Sequence, residues 1–138
     1  MSRRLRSPAF AASILGLAVA AAACMAGPPS FDAIDSSEFI LAADDLSIAH
    51  PPSHSLFLML LHLFPGRGFT SGRLLTALLG GAAAAAAFFA ARQEGGPCSF
   101  RAALLSAGLM LSPPVFTQIN TVEVYGPALL LVICARLV

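Results

Sequence analysis

The chain has 138 residues, of which 57% are hydrophobic and only 11% are charged, and its formal net charge is +1. A soluble domain carries about 25% charged residues, so this chain has too few charges to cover a globular surface. A soluble enzyme and a disordered tail are therefore excluded. The nearly balanced charge also gives no basic surface for nucleic acid.

Among the stretches between charged residues, three are long and free of histidine, at residues 7–31, 74–91 and 102–122. A helix needs about 20 apolar residues to cross about 30 Å of hydrocarbon, and these stretches contain 25, 18 and 21 residues. A charge in the middle of a span costs about 2.5–3.5 kcal/mol, so the spacing predicts three full transmembrane helices. Apolar residues continue after Glu123, which predicts the start of a fourth helix.

The pattern thus predicts an all-α membrane protein with three to four transmembrane helices. In chain order, the predicted segments are a cytoplasmic N-terminus (1–8), transmembrane helix 1 (9–28), an outer loop (29–73), transmembrane helix 2 (74–91), a cytoplasmic loop (92–101), transmembrane helix 3 (102–119), a second outer loop (120–125) and the start of transmembrane helix 4 (126–138). Because the sequence ends within an apolar run, we expect it to be the N-terminal part of a longer protein.

The arginines predict the orientation. Arg3, Arg4 and Arg6 precede the first span and are expected to stay in the cytoplasm. Alternating spans then place six of the eight arginines inside, and the acidic residues of the first long loop outside. An alternative for the segment before Cys24 is a cleaved signal peptide.

The first outer loop contains an acidic pair, Asp35 and Glu38, directly before the apolar run 39–43. Residues three apart share one face of a helix, so a helix is expected here. One interpretation is a capping box, in which Asp35 caps the helix and Glu38 reaches back to it. The other is a pair of working carboxylates held at the membrane surface, and the two are compatible.

A rigid corner follows at His50, because Pro51 and Pro52 end any helix. The next apolar run, 56–64, is too short to span and suits a helix that lies in the interface. A single histidine with loosely placed acids is a weak metal pattern, and the three cysteines have no zinc or disulfide spacing. No metal is predicted.

Pro113 and Pro114 are expected to break the third span near its outer half, and broken helices are tolerated where they line a cavity or lie buried in protein. Polar residues that include Gln118, Glu123 and Tyr125 follow at the outer end. A glutamate at the membrane edge beside a broken helix is a candidate site residue.

These residues resemble a family. The ordered segments are Asp35-Ser-Ser-Glu38, Ile48-Ala-His50-Pro-Pro, Arg73-Leu-Leu-Thr-Ala-Leu-Leu-Gly and Glu123-Val-Tyr125. They look like the opening of a large bacterial membrane family that is similar to protein O-mannosyltransferases, and the resemblance covers most of the chain from Asp35 on. The chain departs from that pattern where Ser47 replaces a usual glycine and where Ser-His-Ser at 53–55 replaces Gly-Tyr-Pro.

The resemblance implies a GT-C-type glycosyltransferase, a helical bundle in the bacterial inner membrane with short interfacial helices in its outer loop. Such an enzyme takes a sugar from a polyprenyl-phosphate donor, which is a substrate, and needs no separate cofactor. Its acceptor is a protein or a glycan, and nucleic acid is not a partner. The implied catalytic residues are Asp35 and Glu38, and the implied substrate-binding residues are His50, Arg73, Glu123 and Tyr125.

This chemistry agrees with elementary expectations. A hydroxyl acceptor needs a general base, which a carboxylate supplies, and a departing lipid phosphate needs a cation, for which Arg73 is the outer candidate. Arg73 is equally well interpreted as an interfacial anchor. Two alternative functions stay open, a transporter fragment with a site at the proline break and Glu123, and an inactive truncated membrane protein.

Overall fold

The structure is a computed structural model that describes residues 7–27, 34–47, 55–66, 68–95, 99–122 and 124–137. These ranges form helices and contain no β-strand. The helices are α1 (Pro8–Ala26), α2 (Ile34–Asp45), α3 (Ser55–Leu63), α4 (Phe69–Gly95), α5 (Ser99–Met110), α6 (Pro113–Ile119) and α7 (Tyr125–Leu137). The predicted all-α class is confirmed.

Helix α4 is the centre of the bundle and contacts each of the other six described helices. Helix α1 lies antiparallel to it. Arg73, near the start of α4, donates to the Cys24 carbonyl near the end of α1. Helix α5 is held beside α4 by the buried Ser106 hydroxyl, which donates to the Ala84 carbonyl over 2.7 Å.

Helix α7 runs in the same direction as α4. Its first turn meets α4 near Thr76, where a Cβ on Gly126 would lie 3.4 Å from the threonine methyl. At the other end, the exposed Arg136 guanidinium forms an ion pair of 3.1 Å with Glu94. An exposed pair of this kind adds little to stability, but it shows that the two helices end together.

Small residues allow α1 and α4 to approach closely. The buried positions of α1 follow the period of a helix and are small or β-branched, namely Ala12, Gly16, Val19, Ala20 and Ala23. The Gly16 carbonyl oxygen lies close to the space that a Cβ on Gly81 of α4 would fill. Close backbone contact of this kind is common where helices associate in lipid, because apolar side chains gain little by exchanging contact with lipid tails for contact with each other.

Two helices, α1 and α4, are long and apolar enough to cross a membrane. Helices α5 and α6 pass the same test together but are bent by 75° at Leu111 and Ser112, so they add a third span if the bent pair is one span. Helix α7 is apolar and has 13 residues. The protein is therefore a membrane protein with two to three candidate spans, and α7 occupies the position of the predicted fourth.

The bend occurs where the sequence predicts it, because Pro113 and Pro114 form the first turn of α6. Proline has no N–H and is tolerated at the start of a helix but not inside one. The change of direction therefore has a local cause.

Helices α2 and α3 pack together over the first half of α4. The rings of Phe39 and Phe57 meet edge to face, with centroids 5.7 Å apart, in a cluster that also buries Leu61, Leu75 and Val122. Leu58 is buried as well, whereas four other large side chains of α3 are exposed, namely Leu56, Met59, Leu60 and Leu63. An apolar outer face on a short helix agrees with the predicted interfacial position.

The two helices are joined by polar contacts at their ends. Helix α2 ends in a Schellman motif, in which Leu46 has a φ of 51° and the Ser47 N–H donates to the Ala42 carbonyl over 2.9 Å. The His62 Nδ1–H of α3 donates to the Ala43 carbonyl over 2.7 Å, so that nitrogen carries the proton. This histidine therefore satisfies a carbonyl in the last turn of α2.

Candidate functional site

One end of the bundle gathers most of the segments that the sequence singles out. Helix α1 ends there, α4 begins there, and α2 and the start of α7 lie there. A Cβ on Gly27, just after α1, would touch both the Arg73 guanidinium and the carbonyl oxygen of Asn120, just after α6. The chain therefore has three segment ends in contact at this point, held around a single glycine.

Ser36 connects the acidic helix to this end. Its hydroxyl donates to the Val122 carbonyl over 3.1 Å, and both residues are buried, with exposed fractions of 1% and 0%. The contact joins positions 86 residues apart. The Asp35–Glu38 segment and the chain directly before Glu123 are therefore neighbours in space.

The acidic pair lies in the first half of α2. Helix α2 begins at Ile34, so Asp35 is in its first turn, and the structure does not describe the Asp35 side chain. Glu38 is partly buried one turn further along. The three-residue spacing on one helix places both positions on the same face, which flanks the buried stripe of Ser36, Phe39 and Ile40.

Arg73 lies inside a helix and not at the end of a loop. Helix α4 begins at Phe69, five residues before the predicted boundary, so Arg73 is in its second turn. The Nη2 of Arg73 donates to the Cys24 carbonyl over 2.8 Å, and the guanidinium carbon lies 5.6 Å from the centroid of the Phe69 ring. A cation at the C-terminal end of a helix interacts favourably with its dipole, so Arg73 caps α1.

Tyr125 is the first residue of α7 and is 61% exposed. It lines a cavity of about 160 Å³ between α6 and α7, together with Gln118. Gln118 belongs to α6, in which Ser112 is the N-cap and the two prolines form the first turn. The cavity therefore opens beside the polar segment that the broken third helix leads into.

A larger apolar groove, of about 460 Å³, lies on the opposite face of α7. It is formed by α3, α4 and α7, with walls that include Leu56, Leu60, Leu79 and Leu131. Helix α7 thus has a cavity with polar side chains on one face and an apolar groove on the other.

The structure brings some of the predicted site residues together and does not describe others. The structure brings the segment of Glu38 and the segment that leads to Tyr125 to one end of the bundle, and Arg73 is beside them but bound to α1. His50 and Glu123 lie outside the described residues, so their predicted roles stay predictions. Within the described part of the chain, no group of three or more His, Cys, Asp or Glu side chains could hold a metal ion.

Sequence reasoning missed two residues at this end. Ser36 has a usable signal, because it shares the helical stripe of Phe39, Ile40 and Ala43 at spacings of three, four and seven, which predicts that it is buried. Gln118 is predicted only as a polar residue at the outer end of the third span, and its place in a cavity wall is missed. Its position in a cavity depends on the packing of α6 against α7, which no local pattern records.

Comparison with known proteins adds no relative. No protein-family model, curated protein or solved structure matches the chain.

Proposed function

We propose that this chain is the N-terminal part of an integral-membrane glycosyltransferase of the GT-C type. It transfers a sugar from a polyprenyl-phosphate donor to a hydroxyl group of a protein or glycan on the outer face of the bacterial inner membrane, with its N-terminus in the cytoplasm. The resemblance of the acidic, His-Pro-Pro and Glu-Val-Tyr segments suggests the reaction. The observation that carries the proposal is the Ser36–Val122 hydrogen bond, because it joins the acidic segment to the residue directly before the Glu-Val-Tyr segment.

The reaction needs a base near the acceptor. A carboxylate of the acidic segment, Asp35 with Glu38 beside it, removes the proton from the acceptor hydroxyl. The oxygen then forms a bond to the anomeric carbon, and the bond from that carbon to the phosphate oxygen breaks, which releases polyprenyl phosphate. A helix packed at the end of a membrane bundle is a suitable place for this base, because a lipid-linked donor presents its phosphate at the same level.

The apolar groove supports a lipid substrate. It lies between α4, which is long enough to span a membrane, the apolar helix α7 and the short helix α3, and its walls are mainly leucine and other apolar residues. A hydrocarbon chain can enter such a groove sideways from the bilayer, which a water-soluble donor has no need to do.

The broken third helix favours an enzyme over the alternative of a transporter. In transporters, unwound carbonyls at a helix break coordinate the ion. Here the Leu109 carbonyl accepts from the Ser112 hydroxyl over 2.6 Å, and the Pro113 carbonyl accepts from Thr117 over 3.1 Å. The Leu109 carbonyl, to which Pro113 has no N–H to donate, is therefore occupied by a side chain of this chain and is not left for an ion.

The proposal is tested with membranes from cells that express the complete reading frame. Transfer of radiolabelled sugar from a polyprenyl-phosphate donor is measured for the wild type, Asp35→Asn and Glu38→Gln. General-base catalysis contributes about 10²- to 10⁴-fold, so we expect Asp35→Asn to lose transfer by at least a hundredfold at equal protein levels. Asp45→Asn is the matched control, because Asp45 is exposed at the far end of the same helix.

Wild-type transfer in the Asp35→Asn variant would refute the assignment of the base. Equal loss in Asp45→Asn would show that the helix itself had been disturbed. Absence of transfer by the wild type, combined with uptake of a solute that depends on Glu123, would favour the transporter.

A further inference from the structure

The cavity between α6 and α7 contains a polar group that the fold leaves unsatisfied. Gln118 lines this cavity, and its Oε1 atom is buried and accepts no hydrogen bond from any residue that the structure describes. A buried acceptor without a partner is costly, because it has lost its hydrogen bonds to water. Oε1 itself has almost no accessible surface, but the side chain lines an open space, so a turn of the terminal amide would bring this acceptor to a donor that arrives from outside.

The residues that line the cavity indicate which kind of ligand would supply the hydrogen bond. None of the seven described residues that line it is charged, so they offer no counter-charge for an ion. Pro114, Val115 and Leu129 give apolar surfaces, while Gln118 and Tyr125 supply an amide and a phenol. The matching ligand is neutral, with hydroxyl groups on its edge and an apolar face.

The volume of the cavity suits a single ring. About 160 Å³ is more than ten times the about 10–15 Å³ that one water needs. It is smaller than the about 300–1,000 Å³ of sites for drug-sized ligands. One sugar ring meets these limits, because its C–H face can lie against proline, valine or tyrosine while its hydroxyl groups donate to the amide.

We propose that the α6–α7 cavity is a subsite for one neutral sugar ring, with Gln118 accepting a hydrogen bond from a ring hydroxyl and Tyr125 covering the ring. The inference rests on the proposed function and deepens it, because it assigns the sugar to a different face of α7 from the apolar groove. The ring belongs either to the lipid-linked donor or to a glycan acceptor, and both present the same hydroxyl chemistry.

The test measures binding and does not depend on transfer. The chain is placed in nanodiscs of deuterated lipid, and methyl α-D-mannopyranoside is the probe in saturation-transfer NMR. The variants are Gln118→Met, which keeps the size of the side chain but removes the amide, and Gln93→Met, in which the exposed glutamine of α4 is changed in the same way. Loss of one hydrogen bond to the ligand should weaken binding about tenfold in Gln118→Met, with no change in Gln93→Met.

A thermal melt without probe separates binding from structure. If Gln118 is kept for a ligand, Gln118→Met should unfold at the same temperature as the wild type or higher, because an unsatisfied acceptor has been removed. A lower melting temperature would instead mean that the glutamine is structural, and would overturn the inference.

Competition identifies the source of the ring. Displacement of the probe by polyprenyl-phosphate mannose, but not by polyprenyl phosphate, assigns the subsite to the donor. Binding of the probe that neither lipid displaces assigns it to the acceptor, and either result supports a sugar subsite.

Two results would overturn the subsite: no probe binding to the wild type, which would mean that the cavity holds water only, or equal binding to the wild type and Gln118→Met. Neither result bears on the role of Asp35, which the transfer assay decides separately.

Discussion

The contact between α1 and α4 is tight enough for a single methyl group to open it. A Cβ on Gly81 would lie 2.5 Å from the Gly16 carbonyl oxygen and 3.0 Å from the Cβ of Ala20. The nearest atom belongs to the backbone of α1, so it cannot turn aside as a flexible side chain would. The Gly81→Ala variant can therefore fold in this form only if the two helices move apart.

The size of the movement follows from these distances. An ordinary contact is 3.4 Å or longer, so the helices must separate by about 0.9 Å, and a gap of about 0.5–1 Å loses a quarter to a half of the dispersion energy of each atom pair. Overpacking of this kind costs about 1–3 kcal/mol. We expect about 2 kcal/mol for Gly81→Ala, which lowers the melting temperature by about 8 °C.

Gly108 provides the matched control on another helix. A Cβ added there meets no atom within 4 Å, and alanine is a better helix former than glycine by about 0.5–1 kcal/mol. Gly108→Ala should therefore be neutral or stabilising. Both variants are compared with the wild type in the same detergent, by size-exclusion chromatography after heating.

The decisive result is whether Gly81→Ala melts below or above the temperature of the wild type. If Gly81→Ala melts at or above the temperature of the wild type, the two helices are not in backbone contact, and the close packing described above is wrong. If both variants lose stability equally, the effect belongs to glycine replacement in general and not to this crossing.

Two further predictions concern helix ends. The left-handed backbone of Leu46 costs about 1–2 kcal/mol, so Leu46→Gly should raise the melting temperature by about 4 °C. A melting temperature below that of the wild type would mean that the exposed leucine side chain makes a contact that stabilises the protein by more than the strain costs. Arg73→Gln removes a charged donor to the Cys24 carbonyl, which should cost about 2 kcal/mol. An unchanged melting temperature together with weaker binding of polyprenyl phosphate would return Arg73 to the role of a phosphate ligand.

The spacing of charges was sufficient to predict the helical membrane class. Arg73 and Arg92 enclose an apolar run, and both lie inside the single long helix α4. The prediction placed the boundaries of this span at 74 and 91, whereas the helix runs from Phe69 to Gly95. A charge marks where the apolar core of a span ends, but the backbone continues until a breaker, and here Gly68, at a φ of 96°, precedes the helix.

The partner of Arg73 could not be predicted. Its hydrogen bond goes to a backbone carbonyl 49 residues earlier, and a carbonyl has no signature in a sequence. The residue type predicted a cation near the end of a span, and Arg73 lies in the second turn of α4. Whether the cation serves a helix end or a phosphate is decided by the approach of α1 to α4, which Gly16 and Gly81 control.

The buried polar residues explain how such an apolar chain reaches one arrangement. In lipid, apolar helix surfaces gain little from contact with each other in preference to lipid tails, so hydrophobic packing alone specifies few registers. Ser36, His62, Arg73 and Ser106 each donate to a backbone carbonyl of another segment. Each bond fixes one segment against another at a particular residue, and three of the four fix α1, α2 or the chain before α7 near one end of the bundle. These three bonds therefore fix the packing at the end of the bundle where the proposed base and the proposed sugar subsite lie.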